Sequence, residues 1–145
     1  MQVDPRGQRF SAALTTVVLI AVLVTGSWVV LAVQAVVFAV GAVLGLRHAP
    51  YGLIYKALVR PRIGPPRELE AEAPPRFAQG VGLAFALVGV AGYALGLEWL
   101  GAGATALALG AAFLNAAFGF CLGCEMYLLI RRVFPSKRSN REVPA

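Results

Sequence analysis

Four long apolar runs, free of lysine and arginine, alternate with short breaks and polar segments along this chain of 145 residues. Phe10 to Val24 is interrupted by Ser11, Thr15 and Thr16, hydroxyls that a helix satisfies by bonding its own carbonyls. Thr25-Gly26-Ser27 breaks the pattern, and Trp28 follows as an interface anchor. The second run continues to Leu46 with Gln34 as its one strongly polar residue. Phe77 to Leu97 is the third and carries Gly80, Gly82, Gly89, Gly92 and Gly96, small residues that let helices approach closely in lipid. After Glu98-Trp99 the fourth stretch runs from Leu100 to Ile130 and stops at Arg131-Arg132. Roughly 20 helical residues cross a ~30 Å hydrocarbon core. The pattern therefore predicts spans at about 10–25, 28–46, 77–97 and 101–120, the last continuing as helix to about 133. The expected fold class is all-α: a polytopic membrane four-helix bundle built from two helical hairpins.

Residues 47–76 follow a different rule. Leu53, Ile54, Ala57 and Leu58 fall on one side of a helix and Lys56 and Arg60 on another, which predicts an interfacial amphipathic helix over 51–60. Pro61, Pro65-Pro66 and Pro74-Pro75, with Glu68, Glu70 and Glu72 among them, read as an exposed loop over 61–76. The last run poses a length problem, since a straight helix over 100–130 would be ~46 Å long. Tilt absorbs part of the excess, and a straight helix stays open. The favoured reading ends the span near 119, loosens the chain at 119–123 and starts a surface helix near 124, Gly119 and Gly123 being the weak points. Residues 1–9 lack a convincing cleavage site after the first run, so that run reads as a retained span.

Charge decides the class. Only 14% of residues are charged, against about 25% in a soluble domain, and mean hydropathy is +0.73. A net charge of +6 suggests nucleic acid until the cations are located. They sit at Arg6 and Arg9, in the segment from Arg47 to Arg76, and from Arg131 to Arg141, each after an even number of crossings. That is the positive-inside pattern, so no nucleic-acid partner is read. It predicts the bacterial inner membrane, both termini and 47–76 on the cytoplasmic side, and the turns 25–28 and 97–101 outside. One domain spans 1–135, and 136–145 reads as a flexible cytoplasmic tail. Residues 45–61 also lie without gaps over 119–135, Gly45 on Gly119 and Pro61 on Pro135, while Arg9-Phe10 and Arg76-Phe77 open the first and third spans. This suggests a parallel repeat.

The chain's two cysteines, Cys121 and Cys124, stand three apart beside Glu125. Thiols at this spacing can cycle through a disulfide, supply half a metal site, or simply pack. In the exchange reading one cysteine attacks, the other resolves the mixed disulfide, and Glu125 relays the proton. At a helix start the dipole would favour a thiolate. In a reducing cytosol a cycling bridge is the natural form. Zinc is the metal two such sulfurs would suit, but it needs four ligands, and no cofactor is read. Arg47 and His48 are supporting candidates as a positive wall, and Asn115 as an interhelical hydrogen-bonding group.

The run from Phe113 to Tyr127, with its Phe120-Cys121-Leu122-Gly123-Cys124-Glu125 core, resembles the domain-of-unknown-function family 4395. Asp4-Pro5-Arg6, residues 49–52 and Arg76-Phe77 carry the likeness across about residues 3–133. These are small bacterial, largely actinobacterial, integral membrane proteins. The resemblance implies four spans, maps the family motif onto Asn115, Phe118, Cys121, Cys124 and Glu125, and implies thioredoxin-like or sulfurtransferase partners. It assigns no catalytic role. Function is therefore expected to be membrane thiol-disulfide exchange or sulfur transfer through the cysteine pair. The alternative is a non-enzymatic scaffold or small-solute carrier whose cysteines pack or bind metal.

Overall fold

Capping side chains decide where the first helices start. In the computed structural model, which describes residues 2–134, Asp4 caps α1 (Pro5–Thr25), its Oδ1 accepting the Arg6 N–H at 2.9 Å. Pro5 at the first position has no N–H to lose. Ser27 Oγ accepts the Val30 N–H at the start of α2 (Trp28–Leu44). Helix α2 is α-helical to Ala39 and finishes in a π-turn over Val40–Leu44, and Gly45 at φ 100° stops it. A 3-10 turn, Leu46–His48, leads into α3 (50–63). There Pro61 has no N–H to donate, and the turn before it widens so that the Arg60 N–H reaches the Tyr55 carbonyl. Two short strands, β1 (Gln2–Val3) and β2 (Glu70–Ala71), pair antiparallel with Val3 opposite Glu70. Helices α4 (Ala73–Ala94), α5 (Glu98–Phe118) and α6 (Leu122–Val133) follow.

The fold is all-α, as expected, but its helix count differs from a four-helix bundle. Among the described residues there are six helices, and α1, α4 and α5 are long and apolar enough to cross a membrane. The second apolar run yields a shorter helix, Trp28–Leu44, ending two residues before the predicted end because Gly45 turns the chain with φ 100°. Three starts also move, α5 beginning at Glu98 rather than near 101. Helix α1 begins at Pro5, where Asp4 provides the cap, and α4 at Ala73, where Pro74 and Pro75 fit the first turn. Residues 61–63 and 70–71, assigned to a plain loop, are helix and strand. The tail 136–145, with Lys137, Arg138 and Arg141, lies outside the described residues.

Helix α1 packs most extensively on α5, α5 on α4 and α4 on α2, whereas α1 and α2 touch lightly. The helices thus form a ring in the order α1–α5–α4–α2 that is loose at its α2–α1 junction. Leu19, Val22, Leu31, Ala35, Phe38 and Ala86 form its buried centre. Outward faces carry Val17, Val24, Val36 and Leu107, all more than half exposed. So much apolar surface turned outward is what lipid, not water, accommodates. The glycines of the third run make the predicted close approach: a Cβ on Gly92 would lie 2.5 Å from the Gly101 nitrogen.

Two pairs of contacts repeat across the halves. Arg9 Nη2 donates to the Ala116 and Ala117 carbonyls at the end of α5, at 3.2 and 3.3 Å. Arg76 donates from Nε and Nη2 to the Ala42 and Val43 carbonyls at the end of α2, at 2.7 and 2.6 Å. Phe10 meets Tyr55 at 5.8 Å between ring centroids, and Phe77 meets Tyr127 at 5.6 Å. Gly45 and Gly119, both with positive φ, end the two capped helices. The correspondence sets α1 with α4, α2 with α5 and α3 with α6, each arginine capping a helix of the opposite half. Tyr55 matches Tyr127 in space, although the gapless alignment set Leu53 against it.

Candidate functional site

The cysteines lie where the fourth apolar run breaks. Helix α5 ends at Phe118, Gly119 takes φ 67°, and its N–H returns to the Asn115 carbonyl at 2.9 Å. That bond is the αL type of helix end, and the Phe120 N–H adds a second, to the Leu114 carbonyl at 3.3 Å. Cys121 is extended and caps α6, its Sγ accepting the Cys124 N–H at 3.2 Å. Cys121 and Cys124 are joined by a disulfide with their Cα atoms 5.2 Å apart. Both are half-buried. Gly123 between them is buried against α4, where a Cβ would stand 2.5 Å from the Ala78 Cβ. Only glycine lets the helix start sit so close.

Around the disulfide the surface is apolar and open: Phe118 is 72% exposed, and Phe120, Leu122 and Met126 are exposed as well. Helix α6 is amphipathic, Leu122, Met126, Leu129, Ile130 and Val133 forming one exposed stripe. Glu125 is exposed in its first turn, where a carboxylate suits the helix dipole. No arginine pairs with it: the one ion pair among the described residues is Arg6–Asp4, and Arg131 sits 5.9 Å over the Tyr127 ring. Asn115 contributes its carbonyl to the helix end, and its side chain makes no hydrogen bond among the described residues. Among those residues no three His, Cys, Asp or Glu side chains gather as metal ligands.

Arg47 and His48 occupy the exposed 3-10 turn. That turn belongs with α2 and α3, whereas α6 packs on α4 and α5. Arg47 lines a separate cavity of about 320 Å³, to which Cys121, Cys124 and Glu125 do not contribute. The positive wall expected beside the cysteines is grouped elsewhere. Beside their turn the structure sets Arg9, whose Cδ would be 3.7 Å from a Cβ on Gly119. The sequence marked Arg9 as a span opener but gave no sign that it would cap a helix more than a hundred residues away.

This cavity was not foreseen. Asp4 Oδ2 accepts from Tyr55 Oη at 2.8 Å and Arg6 Nη2 at 3.1 Å, and Arg6 Nη2 also donates to the Gly64 carbonyl. Burial works against the Asp4 carboxylate, but the bonds from Arg6 and Tyr55 outweigh it and hold its pKa below the ordinary value. Burial, then the bond to Asp4, pushes the Tyr55 hydroxyl up, and burial pushes Tyr51 up. Tyr51 Oη donates to Gln34 Oε1 at 2.7 Å. Glu72, read from sequence as solvated, is 8% exposed and accepts the Leu46 N–H at 2.9 Å. An aspartate before a helix-starting proline and two tyrosines one turn apart were the available signals.

A family model described as "Domain of unknown function (DUF4395)" matches residues 3–132. No curated protein and no solved structure matches the chain. The chain belongs to that family.

Proposed function

We propose that this family member is an integral membrane protein that exchanges electrons with a thioredoxin-like protein through Cys121 and Cys124. One observation carries the reading: a half-exposed disulfide at the N-terminus of an amphipathic helix, framed by open apolar surface. When the pair is reduced, the helix dipole and the Cys124 N–H favour a thiolate on Cys121. That thiolate attacks a partner disulfide, forming a mixed disulfide and expelling a partner thiolate. Cys124, losing its proton to Glu125 or water, then attacks Cys121 Sγ and releases the partner as a dithiol. Two electrons and two protons pass, and the Cys121–Cys124 bond is regained. The reverse sequence reduces this chain at a partner's expense.

Phe118, Phe120 and Leu122 supply the surface a partner would cover, and Arg9 is the cation at the turn. The location follows the positive-inside pattern: the bacterial inner membrane, four crossings with α2 as the short one, and termini and cysteines on the cytoplasmic side.

Redox titration with alkylation mass-shift tests the reading. The pair should respond within roughly −180 to −320 mV, the range of cellular thiol couples, and Cys124→Ser should trap a mixed disulfide with a thioredoxin-like protein. A bond unchanged over that range, or a variant that traps nothing, sinks the proposal. Thiol labelling of the reduced protein from the outer side alone would overturn the orientation.

A further inference from the structure

The cavity at the loose α2–α1 junction is built apart from the cysteines, and its inventory of charge is unbalanced. Arg47, Lys56 and Arg60 line it, along with the carboxylates Asp4 and Glu72. Asp4 is already spent: its two oxygens accept from the Arg6 N–H, Nε and Nη2 and from Tyr55 Oη. Glu72 accepts the Leu46 N–H and closes the end of α2. No carboxylate among the described residues pairs with Arg47, Lys56 or Arg60. Three cations thus face one carboxylate that is not neutralised by an arginine. Behind the wall, Tyr51 holds Gln34 Oε1, which leaves the buried Gln34 Nε2 without a partner among the described residues. What this region offers is an excess of donors and positive charge, beside apolar lining from Val37, Leu46 and Leu69.

We infer that this cavity binds a phosphate-class anion attached to an apolar body, the chemistry of an anionic phospholipid headgroup. Guanidinium groups suit phosphate oxygens through bidentate bonds, and about 320 Å³ falls at the small end of ligand sites, enough for a headgroup rather than whole chains. The competing account is that these cations simply obey the positive-inside rule. Arg62 and Arg67 separate the two, because they share the segment and its exposure but do not line the cavity.

The test uses the full chain in nonionic detergent, with phosphatidylglycerol, phosphatidylcholine or inorganic phosphate added, and reads bound ligand by native mass spectrometry. One phosphatidylglycerol per chain should be retained in preference to phosphatidylcholine. Changing Arg47, Lys56 and Arg60 together to Gln should weaken it at least about tenfold, the loss of one charged hydrogen bond or more. Arg62→Gln with Arg67→Gln should leave it unchanged. Retention of inorganic phosphate in place of the lipid would keep the anion site and reassign its source. Equal retention of both lipids by the unaltered chain, with no phosphate bound, overturns the inference without any variant having to fold. So does an equal loss in the Arg62 and Arg67 variant.

Discussion

Arg76 and Arg9 perform the same task with different geometry, and that difference sets a measurable order. Arg76 approaches the carbonyls of Ala42 and Val43 with two nitrogens at 2.7 and 2.6 Å, whereas Arg9 shares one nitrogen between Ala116 and Ala117 at 3.2 and 3.3 Å. Charged hydrogen bonds contribute about 1.5–3 kcal/mol each when well formed, and exposure at both sites discounts this. Arg76→Gln should therefore destabilise the end of α2 by about 2 kcal/mol, and Arg9→Gln the end of α5 by about 1 kcal/mol. These translate into roughly 30-fold and 5-fold larger open populations. Amide hydrogen exchange in detergent reads both directly: Arg76→Gln should speed exchange at residues 40–46 and Arg9→Gln at 114–120. Equal effects would refute the geometric ranking. Faster exchange at the end of α5 in the Arg76 variant would refute the crossed capping itself.

Four further outcomes follow from other contacts in the structure. The Asp4 carboxyl is held below its ordinary 3.8, so its contribution to stability is full above that value and is lost as pH falls through the lower folded one; Asp4→Asn should remove this acid limb from melting-temperature profiles. The Tyr55 hydroxyl is raised, so its contribution is full below its ordinary pKa and lost as pH rises through the higher folded one, a limb that Tyr55→Phe should abolish. Gly123→Ala sets a methyl 2.5 Å from the Ala78 Cβ, where about 3.5–4.0 Å is comfortable, and should cost about 1–3 kcal/mol; an unchanged melting temperature would show that α6 is not clamped. Gln34→Leu strands the Tyr51 hydroxyl and should cost about 1–3 kcal/mol, while Gln34→Leu with Tyr51→Phe should recover most of it; a double variant no better than the single would deny the coupling.

The apolar runs were legible because lipid tolerates few alternatives to a helix that satisfies its own backbone. The break before Cys124 was legible too, since Gly119 and an overlong run point the same way. Position in the ring was not. Arg47 and the cysteines share a repeat register, yet register says nothing about which halves exchange neighbours. Glu72 looked like one of three solvated acids because its partner, the Leu46 N–H, is created by a turn far along the chain. Asp4, Tyr51 and Tyr55 likewise gain meaning when tertiary packing brings them together, and no local pattern encodes that.

The abrupt end of α2 reaches beyond the protein. Its 17 residues rise about 25 Å, while the 22 of α4 rise about 33 Å. If α2 crosses as proposed, acyl chains beside it meet a wall several ångströms short of the ~30 Å hydrocarbon core, a mismatch that a membrane answers by thinning locally. The protein would sit in a one-sided dimple, its deepest point along the flank where α2 and α1 part. Lipids of shorter reach would gather there.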